Sequence, residues 1–244
     1  MQKFRVGVDI GGTFTDIVFL GDDGKVLARK VASTPHDYSL AVLNGIKNGV
    51  EELGITAQMI TEVSHGFTVA TNAIIEQKGA KTALITSEGF RDVLEFRRNR
   101  IPRLYDLHYE KPPPLVKRQF RLEVSERLNF KGEVLKPLDK AGVDRAVQYV
   151  VDNGVESVAI CLLHSYANPE HEQFIAQALS KKAPDVNLTV SSELLPEMKE
   201  YERTSTTVIN GYVRPVVENY LTLLTDGLTD MGVGVPLTLS LINI

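Results

Sequence analysis

The first thirty residues alternate between apolar and polar positions, as half-buried strands do. Apolar residues fall at every second position from Phe4 to Ile10, which places them on one face of a strand. Two further apolar runs follow at 17–20 and 26–28, and glycine-containing turns separate the three runs. Short strands joined by tight turns predict an antiparallel meander.

A helical period replaces this alternation further along the chain. Apolar residues recur at spacings of three and four from Leu40 to Leu53, and Gly54 follows. This spacing predicts an amphipathic helix that ends at the glycine.

Strand and helix patterns then alternate. Predicted helices cover 68–78, 139–153 and 169–182, and predicted strands cover 82–86, 158–163 and 188–190. Strands separated by helices of this length indicate an α/β sheet with helices on its faces. The opening meander makes the predicted sheet a mixed one.

Three stretches depart from this rhythm. Residues 97–121 contain four prolines among many arginines and lysines, which predicts a long loop or arm. The segment 126–135 predicts a hairpin around its glycine. A long helix is predicted over 201–224, with Pro215 kinking or interrupting it.

Composition narrows the class of protein. The 244 residues are 43% hydrophobic and 24% charged, which is ordinary for one or two globular domains and excludes disordered, collagen-like and coiled-coil proteins. A formal net charge of −4 provides no basic field for nucleic acid or an anionic membrane. No apolar run reaches the roughly 18 residues of a membrane helix, and no signal-type core precedes the first strand, so we expect a cytoplasmic protein.

The chain has one cysteine, Cys161, so an internal disulfide framework is excluded. Cys161 lies within an apolar run and is expected to be an inert core residue. Its spacing from His164 and His171 does not match a zinc site, and we expect no metal other than a nucleotide-bound Mg²⁺.

Candidate chemistry is densest in the turn between the first two strands, which reads DIGGTFTD at 9–16. A carboxylate at a strand end, Asp9, is suited to hold Mg²⁺. Gly11 and Gly12 permit positive φ and let backbone N–H groups approach a phosphate. The remaining candidates are the hydroxyls of Thr13 and Thr15, and Asp16 as an ordering residue or a second metal or water contact. The alternative is an ordinary glycine hairpin turn, and the pattern is neither a Rossmann nor a P-loop motif.

A second candidate block, at 65–73, is predicted as a glycine turn that opens a helix. Thr68, Thr71 and Asn72 fall in the first helical turn, a natural site for an anion or a carbonyl. His65 is a candidate acid or base near neutral pH. Alternatively, Thr68 caps the helix and backbone groups satisfy His65.

Charged residues supply further candidates. Five arginines fall in or near the arm, and Arg91 and Arg98 are the ones chosen as possible clamps for a phosphate or a carboxylate; the alternative is a solvated face or a subunit contact. Glu202 and Arg203 are candidates for a base and a clamp, whereas a surface ion pair between Glu200 and Arg203 would be purely structural.

Two levels of resemblance follow from these motifs. The segment 9–16 resembles the first phosphate motif of the actin/hexokinase/Hsp70-type ATPases. Blocks in collinear order from about 4 to about 236 resemble the hydantoinase/oxoprolinase family, which includes N-methylhydantoinase A, 5-oxoprolinase and acetone carboxylase beta subunits. The blocks are HGFTVATNA at 65–73, GFRDVLE at 89–95, LLHSYANP at 162–169 and EYERTSTT at 200–207. Phe67 replaces a small hydroxyl residue of the family.

The resemblance implies a fold and an activity. It implies the first lobe of an actin/hexokinase/Hsp70-like (ribonuclease H-like) ATPase fold that binds ATP and Mg²⁺. In such enzymes ATP phosphorylates the oxygen of a cyclic amide before ring opening, or of a ketone in the carboxylase branch. It also implies a partner, either a second lobe or a hydantoinase B-type subunit. The alternatives are a sugar or acyl kinase of the same superfamily and a non-catalytic fragment.

The resemblance also implies a domain organisation. Residues 1–236 correspond to the family's N-terminal domain, whereas 237–244 depart from its pattern and resemble a truncated tail. A second ATPase lobe with its own glycine loop is absent from the sequence. We therefore expect the isolated chain to bind ATP weakly and to be inactive.

Overall fold

A computed structural model describes residues 2–34, 37–98, 105–106 and 108–240, with the backbone alone at Phe67. Within these ranges the chain forms two compact units. The first unit contains the residues up to Lys78 and those from Val216 onward, and the second unit is Gly79–Pro215.

The strands and helices are numbered here in chain order. The strands are β1 Phe4–Ile10, β2 Phe14–Gly21, β3 Val26–Ala32, β4 Ile60–Phe67, β5 Thr82–Ser87, β6 Arg121–Val124, β7 Arg127–Leu128, β8 Val134–Lys136, β9 Ser157–Cys161, β10 Asn187–Val190 and β11 Leu237–Ser240. The helices are α1 Tyr38–Leu53, α2 Val69–Ile75, α3 Val93–Phe96, α4 Lys140–Asp152, α5 Glu170–Lys182, α6 Ser191–Leu194 and α7 Glu200–Asp230. Among the described residues, no helix is long and apolar enough to cross a membrane.

The first unit contains a five-stranded mixed sheet in the order β11-β4-β1-β2-β3. Strands β1, β2 and β3 form the predicted antiparallel meander, while β4 runs parallel to β1 and β11 parallel to β4. Alternate residues of β1 and β2 are buried on one face, where they pack with α1 and the last part of α7. The helices therefore cover one face of this sheet, and the carboxyl end of β1 leads into the glycine turn.

The second unit contains a four-stranded parallel sheet in the order β10-β9-β5-β6. Strands β5 and β9 are buried at every position, as expected for the centre of a parallel sheet. Apolar residues of α4 and α5 complete the core. Strands β7 and β8 form the predicted hairpin as a separate two-stranded sheet.

These observations confirm the predicted α/β class and correct several details. The structure has a mixed sheet and a parallel sheet instead of one mixed sheet. His65 and Gly66, predicted as a turn, lie in β4 because β1 and β11 hydrogen-bond to its two edges. Residues 237–240 of the predicted tail form β11.

Two helices also differ from their predictions. Helix α2 ends at Ile75, three residues before the predicted end at 78, and a left-handed residue, Gln77 (φ 54°), follows it. Helix α7 runs from Glu200 to Asp230 without interruption at Pro215. A proline lacks a backbone N–H, so α7 continues with one hydrogen bond fewer at that turn.

The predicted arm is only partly described. Residues 108–117 contain no helix or strand, and a short 3₁₀ turn at Arg118–Phe120 leads into β6. Arg100 and Arg103, two of the five arginines noted above, lie outside the described residues.

Candidate functional site

The turn after β1 is closed by its own backbone. Asp9 lies opposite Asp16 in the antiparallel register, and Ile10 lies opposite Thr15. The N–H of Gly11 donates to the carbonyl of Phe14 at 2.9 Å. The turn therefore consists of Gly11, Gly12 and Thr13, at the carboxyl end of β1.

Strand alternation distributes the candidate side chains between the two faces of the sheet. Asp9 and Asp16 share the face that the helices leave open, because the residues on either side of each are buried against the helices. Thr15 is fully buried on the helix-covered face, where its hydroxyl lies 3.0 Å from the Ser33 hydroxyl. The structure therefore brings the two aspartates together and turns Thr15 away from them.

Ser33 holds the turn in place. Its hydroxyl donates to the carbonyl of Gly11 at 2.8 Å, and its N–H donates to the carbonyl of Thr13 at 2.9 Å. Sequence reasoning missed this residue, because nothing in the local pattern connects Ser33 to a turn 22 positions earlier. Thr13 itself is exposed.

The two glycines have different reasons to lack a side chain. A Cβ on Gly11 would come within 3.1 Å of the Phe14 carbonyl oxygen, so the turn itself disfavours a larger residue. A Cβ on Gly12 would meet only the Asn72 side chain, at 3.9 Å. Neither glycine has a positive φ, contrary to expectation. The geometry of the turn therefore does not require a glycine at position 12. The exposed Gly12 leaves its backbone open to an approaching group.

The two aspartates also differ in their partners. Asp16 lies 2.9 Å from Lys30, its cross-strand neighbour in β3. The Asp9 carboxylate makes no hydrogen bond or ion pair within the described ranges. Lys30 was missed by sequence reasoning, although the register of the predicted meander would have placed it opposite Asp16.

A concavity of about 400 Å³ lies on this open face. Its lining residues come from β1, β2 and β4: Arg5, Val6, Gly7, Val8, Asp9, Asp16, Val18, Leu20, Glu62 and Ser64. No group of three potential metal ligands occurs in the part of the chain that the structure describes. Mg²⁺ usually takes one or two carboxylates and completes its shell with phosphate and water, so the free Asp9 carboxylate beside the turn fits a nucleotide-bound Mg²⁺.

The start of α2 meets the same turn. The Thr68 hydroxyl donates to the carbonyl of Ile10 at 2.7 Å, and the Asn72 amide donates to the Thr68 hydroxyl at 3.3 Å. Thr68 precedes the helix but makes no side-chain capping bond. Thr71 is exposed. The structure therefore brings Thr68 and Asn72 to the glycine turn, as neighbours that support it.

His65 lies on the opposite face of the sheet from Asp9 and is fully buried. Its Nδ1 is 3.3 Å from the carbonyl of Val8, and its Nε2 is 2.6 Å from the Tyr220 hydroxyl. Burial lowers the pKa of His65 and raises the pKa of Tyr220. A neutral His65 whose Nδ1–H donates to the carbonyl of Val8 can accept a hydrogen bond from the Tyr220 hydroxyl at Nε2, so this arrangement satisfies both side chains.

The other candidates lie in the second unit. Arg98 forms an ion pair with Glu202, and the Nε of Arg91 lies 3.7 Å from Glu123. Arg203 is buried and donates to the carbonyl of Leu162 at 2.6 Å. Cys161 is buried as expected, and its burial raises the pKa of the thiol.

Comparison with known proteins identifies relatives. Residues 5–183 match the model of the hydantoinase/oxoprolinase N-terminal region. The chain is 38% identical over 226 residues to the caprolactamase subunit alpha of Pseudomonas jessenii, covering 90% of the chain and 32% of that protein. The chain spans about a third of the length of the curated relatives it matches.

Solved structures agree with the sequence relatives. The crystal structure of the ATP-dependent caprolactamase from Pseudomonas jessenii matches with a TM-score of 0.88 at 35% identity, covering 96% of this chain and 35% of that one. A nucleotide-free acetone carboxylase matches with a TM-score of 0.81 at 26% identity, covering 95% and 35%. These matches confirm the predicted fold class, the mixed α/β fold of the first lobe of actin/hexokinase/Hsp70-like ATPases.

Proposed function

The chain belongs to the hydantoinase/oxoprolinase family, and from this premise we propose that its glycine turn binds the phosphates of Mg-ATP. The observation that carries the proposal is the free Asp9 carboxylate beside the open Gly12 backbone. A carboxylate next to an exposed glycine backbone suits a cation-bound phosphate. The family supplies the identity of the nucleotide.

Each residue at the turn then has a role. Asp9 holds the cation, and the backbone N–H groups of Gly12 and Thr13 face phosphate oxygens. Asp16 is held by its ion pair with Lys30 and lies opposite Asp9 in the strand register. From this position it would hold a water molecule beside the cation. Thr68 and Ser33 fix the turn from behind by bonding the carbonyls of Ile10 and Gly11. Preorganised positioning of this kind is the main contribution a protein makes to phosphoryl transfer.

For the whole protein we propose a cyclic amide as the substrate. Bound Mg-ATP would transfer its γ-phosphoryl group to the amide oxygen and leave as ADP. The phosphorylated amide is a better electrophile than the amide itself, so water can add to its carbon, break the ring C–N bond and release inorganic phosphate. The related caprolactamase, whose name specifies a lactam, supports this choice. We also propose that regions equivalent to the remaining two thirds of the relatives, or a second subunit, complete the catalytic site.

A second candidate function is the ATP-dependent activation of a ketone for carboxylation. The structural match to acetone carboxylase favours it. ATP hydrolysis by the assembled enzyme distinguishes the two: stimulation by ε-caprolactam or 5-oxoproline alone supports the amide, whereas a requirement for acetone together with bicarbonate supports the ketone.

The proposed phosphate site is tested by mapping backbone amides of the ¹⁵N-labelled chain by NMR during a titration with Mg-ATP. We expect weak, saturable binding that shifts the amides of Gly11, Gly12 and Thr13. Repeating the titration with EDTA in excess should remove most of the effect, because Asp9 contacts phosphate through the cation. Shifts confined to other parts of the chain would contradict the proposal.

A further inference from the structure

The second unit has a buried polar belt where its four parallel strands end. Ser87 ends β5, Glu126 follows β6, and Ser191 follows β10; all three are buried. In open α/β sheets, ligands bind outside the carboxyl ends of the strands. A buried polar group without a hydrogen-bond partner near this belt would therefore indicate a ligand site.

Arg203 is such a group. Its side chain is 1% exposed, and among the described residues only Nη2 has a hydrogen-bond partner, the carbonyl of Leu162 at 2.6 Å. The guanidinium also lies over the Tyr166 ring, 5.5 Å from the ring centroid, but this contact pairs none of its N–H groups. Within the described part of the chain, Nε and Nη1 are both buried without a hydrogen-bond partner. A buried charged group whose donors are unpaired is costly, and native proteins rarely keep one without an additional ligand or water.

Arg121 shows that this fold can satisfy a buried guanidinium completely. Arg121 is 3% exposed, a burial close to that of Arg203. Its Nε donates to the carbonyl of Val116 at 3.0 Å, and its two terminal nitrogens reach Asp92 and Glu95 at 3.4 and 2.9 Å. The difference between the two arginines lies in the acceptors that surround them and not in their burial.

A carboxylate close to Arg203, that of Glu172, already accepts three hydrogen bonds from other donors. Glu172 accepts from the N–H of Leu162 at 2.8 Å, from the Ser191 hydroxyl at 2.7 Å and from the N–H of Ser192 at 2.9 Å. None of these bonds involves Arg203. Glu172 therefore lies at these strand ends without pairing the donors of Arg203.

A second unpaired donor belongs to the same strand ends. The Ser192 hydroxyl is buried and has no hydrogen-bond partner among the residues that the structure describes. Ser192 lies in α6, directly after β10, and its N–H donates to the same Glu172 carboxylate that accepts from the N–H of Leu162 after β9. Unpaired donors of Arg203 and Ser192 thus flank the pair of strand ends that Glu172 joins.

We propose that this cluster, consisting of Arg203, Ser192, Glu172 and Leu162, binds a small oxyanion. The unpaired guanidinium nitrogens only donate, so the ligand supplies acceptors, and the planar fork suits a carboxylate or bicarbonate. The unpaired nitrogens are shut off from solvent, so the ligand is small and enters through a local opening. Because Glu172 contributes a negative charge, a monoanion is favoured over a phosphate dianion.

The test is an NMR titration of the arginine Nε–Hε signals of the whole chain with sodium acetate, sodium bicarbonate and sodium phosphate. Sodium chloride at equal ionic strength serves as the reference. Acetate or bicarbonate should shift the Arg203 signal saturably, phosphate should act more weakly, and the Arg121 signal should stay in place. Acetate and bicarbonate as separate arms distinguish an organic carboxylate from bicarbonate.

A matched pair of variants supports the assignment. In Arg203→Lys, the rise in melting temperature caused by the active anion should be lost, whereas Arg121→Lys should keep it even if both variants are less stable. An Arg203 signal that no anion shifts, or that acetate and bicarbonate shift no more than chloride does, would overturn the proposal. The proposal would also be overturned if the Arg203 Nε–Hε group contacted only water in the presence of each anion. The wild-type titration needs no variant, and its outcome is independent of nucleotide binding in the first unit.

Discussion

At the scale of single residues, the face of the sheet decides which candidates can act together. Asp9 and Asp16 are paired in register on the open face, whereas Thr15 and His65 point into the core. The alternation of β2 already predicts this for Thr15, because Ile17 and Phe19 occupy the same face. The hydroxyl of Thr15 suggested a phosphate contact, but the alternation of the strand predicts the position of this side chain correctly.

The hydrogen bond between Tyr220 and His65 should contribute to stability. Tyr220→Phe removes a buried donor and leaves His65 Nε2 without this partner, so we expect a loss of about 1–3 kcal/mol in the free energy of unfolding. Tyr149→Phe is the control, because that hydroxyl bonds the Gln119 carbonyl at the surface. Urea denaturation showing equal losses for the two variants would contradict this role.

His65 should also make stability depend on pH. Burial lowers its pKa below the ordinary value of 6.5, so the unfolded chain binds a proton at a higher pH than the folded chain does. The stabilisation is complete above about pH 6.5 and declines as the pH falls from there toward the lowered pKa of the folded state.

The measurement is urea denaturation across this pH range. His65→Gln should remove part of the decline, and His108→Gln, at an exposed position, should leave it unchanged. If the His65 variant keeps the whole pH dependence of the wild type, the buried histidine is not its source.

At the scale of elements, segments with a clean period and a glycine stop were predictable, and segments that mix polar groups into a strand were not. Helix α1 extends to Leu53 with Gly54 in the left-handed region, as the pattern predicted. Strand β4 was missed because it carries Glu62 and Ser64 on the open face and a histidine in the core. Its pairing with β1 and β11 overrides these weak local preferences.

Close packing of α1 on β2 depends on a helical glycine. A Cβ on Gly49 would lie 2.2 Å from the Phe19 ring, so Gly49→Val should cost about 2–3 kcal/mol through overpacking. Asn48→Val lies one position earlier, on the exposed side of α1. It should change the free energy of unfolding by no more than about 0.5 kcal/mol. Thermal and urea denaturation of both variants measure the difference, and near-equal stabilities would refute the packing argument.

At the scale of the whole molecule, the α/β class and the family followed from the sequence, but the division into two sheets did not. Strand and helix periods do not specify which strands pair, so one mixed sheet was predicted where the chain forms a mixed sheet and a parallel sheet. The buried polar belt of the second unit also combines residues that are far apart in the sequence, Ser87, Glu126 and Ser191. Sequence spacing alone cannot predict such a gathering, because it arises from the parallel alignment of strand ends.

The central claim is that the glycine turn holds Mg-ATP through Asp9. The most direct measurement is the dissociation constant for Mg-ATP of Asp9→Asn compared with Asp22→Asn, whose aspartate lies in the Gly21–Gly24 turn at the other end of the same hairpin. We predict that Asp9→Asn weakens Mg-ATP binding at least about tenfold, which corresponds to about 1.4 kcal/mol, whereas Asp22→Asn binds as the wild type does. Equal affinities for the two variants, with both folded, would contradict the claim.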